Sequence, residues 1–223
     1  MKNVERVAAC CIFLLLAFTG PAWAAPENHA ELLRDEDYKS GYEQYEKIMD
    51  EAKGRLSKEE FTKLKADCEA SIAGDAAAGV KGGDSEAEAY SMAYGAANEH
   101  VNKELVFDWL RKNAIGIQGF YRFANNGFDG YMTVQEGSGP GIWAVSLFAI
   151  QKREPYNSGE VDGEGRPEGG GMAVNYGSDD AAATVTVVFD GETARVETSA
   201  AFKESGWLGA NVLIDGEYKR ERK

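Results

Sequence analysis

Apolar residues recur with two different periods along the chain, and the period changes near residue 116. Before that point they recur every three to four positions, as on the buried face of an amphipathic helix. After it they tend to alternate with polar residues, as on a strand with one buried face. The pattern therefore predicts an α+β protein with a helical domain over residues 28–116 and an antiparallel β domain over residues 117–220.

Three helices account for the first period. The first covers Tyr38–Leu56, and the second begins at Ser57, which has Glu60 three positions later and so predicts a capping box. The second helix extends to about Ala78 and is followed by glycines. The third begins near Ser85 and ends just before the period changes. We expect these helices to form a hairpin or a three-helix module.

The dipeptide Asp-Gly occurs four times, always in the second half of the chain. It favours two-residue hairpin loops, because both residues tolerate the positive φ that the tight turn requires. The repeats predict turns of an antiparallel meander at Asp129, Asp162, Asp190 and Asp215. The clearest case is Asp190, which has alternating apolar residues on both sides. The glycine-rich stretch 164–171 reads instead as a flexible connection, and residues 212–214 read as a strand.

The two ends of the β domain are similar to each other. It opens with Gly119-x-Tyr121 and closes with Gly216-x-Tyr218. If the first and last strands pair, the sheet closes and has no exposed edges. We therefore predict a small antiparallel β-barrel or a coiled meander, with a two-sheet sandwich as the alternative.

Several aromatic residues of the β domain could either fill the interior of a barrel or line an open cavity. A barrel this small is more often filled by side chains. The residues concerned are Trp143, Phe148, Phe189 and Trp207.

Residues 1–24 have the layout of a secretory signal peptide. Lys2 and Arg6 precede a short apolar run, and Ala22-Trp23-Ala24 fits the small-x-small cleavage pattern. We expect cleavage after Ala24, with Ala25 as the neighbouring option, and an uncleaved anchor as the alternative. The run is short for a bilayer span. The sequence thus predicts a periplasmic or secreted protein with no membrane span after signal removal.

The chain is acidic, with a formal net charge of -13. Residues 1–24 carry a net +1, so their removal leaves -14. An acidic protein repels the phosphates of nucleic acid, whereas its long-range field attracts basic proteins. We therefore expect no nucleic-acid partner, and we regard a basic secreted protein as the partner that the charge favours.

Residues with catalytic or metal-binding chemistry are few. Cys68 is the one cysteine that remains after signal removal, so we expect a small buried hydrophobe on a helix rather than a disulfide framework. The two histidines, His29 and His100, belong to no zinc motif and no Ser/His/Asp arrangement. We predict neither a cofactor nor a metal, and no enzymatic activity.

One segment partly matches a calcium-binding EF-hand loop. Asp35, Asp37 and Glu46 fit positions 1, 3 and 12 of that loop. Lys39 occupies position 5, and Ser40 occupies position 6, where glycine is required. The segment also has the composition of a helix start, so we expect a helix there and no calcium.

The helical domain resembles the N-terminal domain of the LprI lysozyme-inhibitor family. The resemblance covers about residues 38–110. It lies in YEQYEKIMDEAKGRLSKEEFTKLKADCEASIAGDAA and in the later SEAEAYSMAYGAANEHV, through the Tyr42/Tyr45 stretch, Leu64, Asp75 and the Glu88-Ala89-Tyr90 triplet. It implies a helical module in an exported inhibitor of lysozyme.

Residues 119–220 resemble the small β-barrel domains that accompany such helices, among them the MliC type of lysozyme inhibitor. Inhibitors of that type insert a loop containing Ser-Gly into the lysozyme cleft. The comparable segment here follows Pro155. The resemblance implies a partner-binding loop formed by Tyr156, Ser158, Gly159, Glu160 and Asp162.

Three functions follow as hypotheses. The first is an exported, non-enzymatic protein that binds and inhibits a cationic cell-wall hydrolase such as a lysozyme. The second is a β-barrel that binds a small apolar or sugar ligand, which requires an open apolar cavity. The third is a hydrolase with paired carboxylates, which requires two carboxylates about 5–10 Å apart in one cleft.

Overall fold

A computed structural model describes residue 26 and residues 28–125, 127–175, 183–206, 208 and 211–223. The predicted signal peptide and Trp207 lie outside these residues. The chain divides into two compact units between Val106 and Phe107. The division falls earlier than the change in period, so the last residues of the third long helix belong to the second unit.

The first unit is helical, as the periodicity predicts. Its helices are α1 His29–Leu32, α2 Glu36–Arg55, α3 Lys58–Gly82 and α4 Glu86–Lys112, the last of which extends into the second unit. The start of α2 is capped by Asp35, whose carboxylate accepts hydrogen bonds from the amides of Asp37 and Tyr38. This cap confirms that the partial EF-hand match is a helix start.

The predicted capping box is present at the start of α3. The Ser57 hydroxyl accepts from the Glu60 amide, and the Glu60 carboxylate accepts from the Ser57 amide. The helix extends beyond the predicted end at Ala78 and stops at Gly83, whose φ is 102°. Gly79 therefore lies inside the helix and does not end it. A Cβ at this position would lie only 2.9 Å from the Ala89 side chain, so the glycine permits close packing of α3 against α4.

Tyrosine and alanine dominate the core of the helical unit. Tyr38, Tyr45 and Tyr94 are buried together, and alanines on α3 and α4 allow the helices to approach closely. Cys68 is 1% exposed in this core, which confirms the expected small buried hydrophobe on a helix.

The second unit contains a closed barrel of eight antiparallel strands in sequence order. The strands are β1 Gly119–Ala124, β2 Phe128–Glu136, β3 Trp143–Gln151, β4 Ser158–Glu168, β5 Gly171–Asn175, β6 Thr184–Asp190, β7 Thr193–Thr198 and β8 Gly216–Glu221. Strand β1 pairs with both β2 and β8, since Arg122 lies opposite Tyr131 on one side and Lys219 on the other. The predicted pairing of the first and last strands is confirmed, and the sandwich alternative is wrong.

The inward-facing side chains of the described strands pack against one another as a single core. Aromatic residues from β1 and β8 fill its centre, and valines from β3 to β7 surround them. Trp143 and Phe189 pack against this core from partly buried positions. Phe148 instead lies on the outer face of β3, because its neighbours Leu147 and Ala149 are the buried ones.

Three of the four predicted Asp-Gly turns are wrong, two of them because Asp129-Gly130 and Asp162-Gly163 lie within β2 and β4. A Cβ on Gly130 would overlap the carbonyl oxygen of Phe148 on the neighbouring strand. Glycine is therefore needed here for close approach of two strands rather than for a turn. The turn before β2 is formed by Asn125, whose side chain accepts hydrogen bonds from the amides of Gly127 and Phe128.

The tight hairpin predicted at Asp190 is confirmed. Asp190 pairs with Thr193, and Gly191 adopts a φ of 58° in the two-residue loop between them. A second tight hairpin joins β4 to β5, with Gly169 and Gly170 at φ values of 59° and 91°. The expectation of a flexible connection over residues 164–171 is therefore wrong, since β4 continues to Glu168.

The connection between β7 and β8 also differs from the prediction. It contains the short helix α5 Ala200–Glu204, whose start is capped by Ser199 and whose Phe202 enters the barrel core. Residues 212–214 form no strand. Asp215 therefore makes no hairpin turn. Its carboxylate instead accepts hydrogen bonds from the amide and the hydroxyl of Thr198.

Candidate binding face of the barrel

The segment that was expected to form a partner-binding loop is mostly a strand. Tyr156 lies in the connection between β3 and β4, with a φ of 52°. Ser158, Gly159, Glu160 and Asp162 all belong to β4. A partner would therefore meet the face of a sheet at these positions rather than an inserted loop.

Three carboxylates follow one another along the outer face of β4. Glu160, Asp162 and Glu164 are exposed, whereas Val161 between them is buried in the core. Alternate residues of a strand point to the same face, so neighbouring carboxylates of this row start about 7 Å apart. We call these three residues the acidic row.

The three carboxylates of the acidic row differ in their hydrogen-bond partners. The Glu164 carboxylate accepts hydrogen bonds from the amide and the hydroxyl of Ser138, at 2.8 and 2.6 Å. Glu160 accepts from the Tyr131 hydroxyl at 3.4 Å. Asp162 forms no hydrogen bond or ion pair with any residue that the structure describes. Its charge is therefore the one in the row that a partner could neutralise without breaking a bond inside the barrel.

Aromatic side chains lie beside the acidic row. Phe148 is paired with Glu160 across the sheet and stacks on Tyr131, with 5.2 Å between the ring centroids. Both rings are half-buried on the outer face. Aromatic side chains are enriched at protein-binding surfaces.

A buried arginine lies where the first and last strands of the barrel pair. Arg220 on β8 has a side chain that is only 3% exposed and that lies against the Tyr121 ring. Its guanidinium donates hydrogen bonds to the Tyr121 hydroxyl and to the Gly116 carbonyl, and its ion-pair partner is Glu192. Burial raises the pKa of Tyr121, although the hydrogen bond from Arg220 opposes that effect. The cluster joins the first and last strands and therefore serves the closure of the barrel.

A buried carboxylate, Asp108, lies between two lysines of the second unit. Its oxygens accept hydrogen bonds from Lys112 and Lys223, each at 2.8 Å. Burial raises the pKa of Asp108, but the hydrogen bonds from the two lysines lower it more, so the pKa lies below its ordinary value. This carboxylate stays ionised and stabilises the fold, and it is not poised to act as a proton donor.

The Asp108 cluster gives a pH-dependent prediction. A carboxylate whose pKa is lower in the folded than in the unfolded chain adds stability above the unfolded pKa, about 3.9, and loses it as the pH falls through the folded value. We therefore expect Asp108→Asn to lower the free energy of unfolding at about pH 7. The difference from the wild type should shrink steadily below about pH 4 in urea titrations of the barrel.

The control for this prediction is Asp162→Asn, which removes an exposed carboxylate. It should leave the free energy of unfolding at about pH 7 almost unchanged, because the side chain is exposed and has no partner among the described residues. If Asp108→Asn shows the same loss at every pH, the stabilisation does not depend on the ionised carboxylate.

Groups with nucleophilic or metal-binding chemistry do not converge in the described part of the chain. Burial raises the pKa of the Cys68 thiol to about 12, so the thiolate nucleophile is scarce at neutral pH. The His29 ring is hydrogen-bonded to the Tyr38 hydroxyl at 2.6 Å. The residues that the structure describes contain no cluster of three His, Cys, Asp or Glu side chains that could hold a metal ion.

A polar surface depression of about 530 Å³ lies between β7, α5 and β8. It is lined by three carboxylates, and each has a cation beside it: Arg195 with Glu197, Lys203 with Asp215, and Lys219 with Glu217. The carboxylates of this depression are thus engaged in ion pairs of the barrel surface.

Comparisons with known proteins add no family to this description. No protein-family model matches the chain, and neither a curated protein nor a solved structure shows significant similarity to it. The chain is thus defined by its architecture, a helical unit followed by a closed eight-stranded antiparallel barrel. Among the described residues, no helix is both long and apolar enough to cross a membrane.

Proposed function

We propose that this protein is an exported, non-enzymatic binding protein whose barrel holds a cationic partner on the acidic row of β4. A secreted basic protein, such as a lysozyme-like cell-wall hydrolase, has the chemistry that this face would recognise. Inhibition would follow if the bound barrel covers the cleft of the hydrolase.

The observation that carries the proposal is a row of exposed carboxylates on a strand whose other face is fixed in the core. Strand β4 is paired on both sides, with β3 and with β5. The backbone that carries the carboxylates is therefore ordered before binding, which reduces the entropy lost on association. The net charge of -13 adds long-range attraction for a basic partner.

The packing of the barrel does not favour the alternative, a small apolar or sugar ligand bound inside it. That function needs open space lined by apolar side chains. In the described strands the inward positions are occupied by residues that pack against each other, including the stacked rings of Phe123 and Tyr218. We therefore place the binding function on the outer surface.

The proposal predicts a salt-sensitive complex with hen-type lysozyme, measured by isothermal titration calorimetry. Two like charges placed opposite a basic surface should repel it, so Glu160→Lys combined with Asp162→Lys should weaken binding by about tenfold or more. Raising the salt from about 20 to about 150 mM should weaken the wild-type complex in the same direction, because added ions screen exposed charges.

A matched control makes the same change in net charge elsewhere on the second unit. Glu204→Lys combined with Glu217→Lys reverses two exposed carboxylates on α5 and β8. This variant should bind almost as tightly as the wild type if the acidic row is the site. Equal weakening by both double variants would show that net charge alone causes the attraction, and no binding at low salt would contradict the proposal.

A further inference from the structure

The outer face of β5 and β6 carries one charge among its described side chains, that of Asp190 at the end of β6. We call this surface the β5–β6 face. Val188 is 45% exposed at its centre, although valine prefers burial. Apart from Val188 and Asp190, the outward residues with described side chains are small or hydroxyl-bearing: Gly171, Ala173, Thr184 and Thr186.

Charges flank this face in a reciprocal order that follows from the strand register. In one cross-strand row Arg166 on β4 pairs with Ala173 on β5. Ala173 pairs with Thr186 on β6, which in turn pairs with Glu197 on β7. In the next row Glu168 on β4 pairs with Gly171 on β5. Gly171 pairs with Val188 on β6, which in turn pairs with Arg195 on β7. One row thus runs from positive to negative across the four strands, and the other runs from negative to positive.

We propose that the β5–β6 face binds a second copy of this chain, face to face, about a two-fold axis parallel to the strands. Such an axis exchanges β4 with β7 while it keeps each residue in its own row. Arg166 then lies opposite Glu197 of the second copy, and Glu168 lies opposite Arg195 of the second copy. The two flanking rows of charge are therefore complementary to themselves, as the charges of an interface between two identical subunits must be.

The closure of the barrel and the charge of the chain both favour this surface. A closed barrel has no free strand edge, so two copies cannot associate by adding strand to strand. The chain carries a net charge of -13, so most surfaces of two copies repel one another. The flanked face contains two arginines against two glutamates and Asp190, a net charge of -1, so two copies repel one another less here than over the chain as a whole.

The flanking charges are free to exchange partners. Arg195 and Glu197 form an ion pair within one strand, and their side chains are 73% and 62% exposed. Exposed ion pairs stabilise a protein little, so exchange for a partner on the second copy has a small cost. The outer surface of a barrel is convex, which limits the buried area, so we expect a weak dimer with a dissociation constant on the order of 10–100 µM.

The test is sedimentation equilibrium of the purified protein between about 10 µM and about 1 mM, which brackets that dissociation constant. The wild type should show a monomer–dimer equilibrium. Arg166→Glu and Glu197→Arg should each weaken it by about tenfold or more, because each places like charges opposite one another. The two changes combined in one chain should restore the dimer, because the new charges again face opposite ones.

Three results would overturn the inference. The first is a monomer at every concentration, and the second is a double variant that dimerises no better than the single ones. The third is loss of the dimer in the variant with Glu160→Lys and Asp162→Lys, which would place the contact on the acidic row. Circular dichroism melting of each variant checks that the barrel is folded, and Val188→Glu offers a further disruption at the centre of the face.

Discussion

Replacing Arg220 by methionine should lower the free energy of unfolding of the barrel by about 3 kcal/mol and its melting temperature by about 10 °C. Methionine keeps much of the apolar length of arginine but lacks its donors. The Gly116 carbonyl would lose its hydrogen bond from the guanidinium, and the Tyr121 ring would lose the cation that lies over it. The hydroxyl of the fully buried Tyr121 would also lose its hydrogen bonds from the guanidinium, and a buried polar group that loses its partner accounts for most of such a loss.

The matched control is Arg222→Met, two residues further along the chain. Arg222 pairs with the same carboxylate as Arg220, Glu192, but its side chain is 50% exposed. Exposed ion pairs contribute little because water and salt screen them. Thermal melts should therefore show a clearly lower melting temperature for Arg220→Met than for Arg222→Met. Equal melting temperatures would show that Arg220 does not hold β1 and β8 together.

Replacing Gly130 by alanine should destabilise the barrel by more than about 2 kcal/mol. Alanine in a strand is normally better than glycine by roughly 0.5–1 kcal/mol, so the expected sign is the reverse of the usual one. The reason is steric, because the new methyl group would overlap the backbone of Phe148 and press on the Cα of Ala149. Both obstacles are backbone atoms of β3, so the strands themselves would have to separate.

The same substitution at Gly95 is the control. Gly95 lies in the middle of α4, and a Cβ there meets nothing within 4 Å. Alanine should stabilise that helix by roughly 0.5–1 kcal/mol, since it loses less backbone freedom on folding. Chemical denaturation of both variants tests the pair, and a stable Gly130→Ala barrel would mean that β2 and β3 are further apart than the structure shows.

The helices and the hairpin at Asp190 could be predicted from the sequence because local signals determine them. The Ser57 and Glu60 pair specifies a helix start within four residues, and the alternation around Asp190 specifies a hairpin. The turns at Asp129 and Asp162 could not be excluded, since glycine serves both tight turns and close strand contacts. Only the neighbouring strand reveals which of the two applies.

The segment predicted to form a partner-binding loop is a strand from Ser158 onward. Strand β4 places glycines at inward positions 163 and 165, so its apolar alternation is weak and the segment resembles a loop. A Cβ on Gly165 would meet the backbone of Ala173, which explains why this position cannot carry a larger apolar residue. The role of Arg220 could not be foreseen either, because it depends on contacts with residues about a hundred positions earlier in the chain.

The most direct test of the proposed function maps the contact residue by residue. The backbone amides of the ¹⁵N-labelled protein can be followed by NMR while hen-type lysozyme is added. If the acidic row is the binding site, the largest shift changes should occur at the amides of Glu160 to Glu164 and of their neighbours on β3. Shifts confined to other strands or to the helical unit, or an unchanged spectrum at low salt, would contradict the proposal.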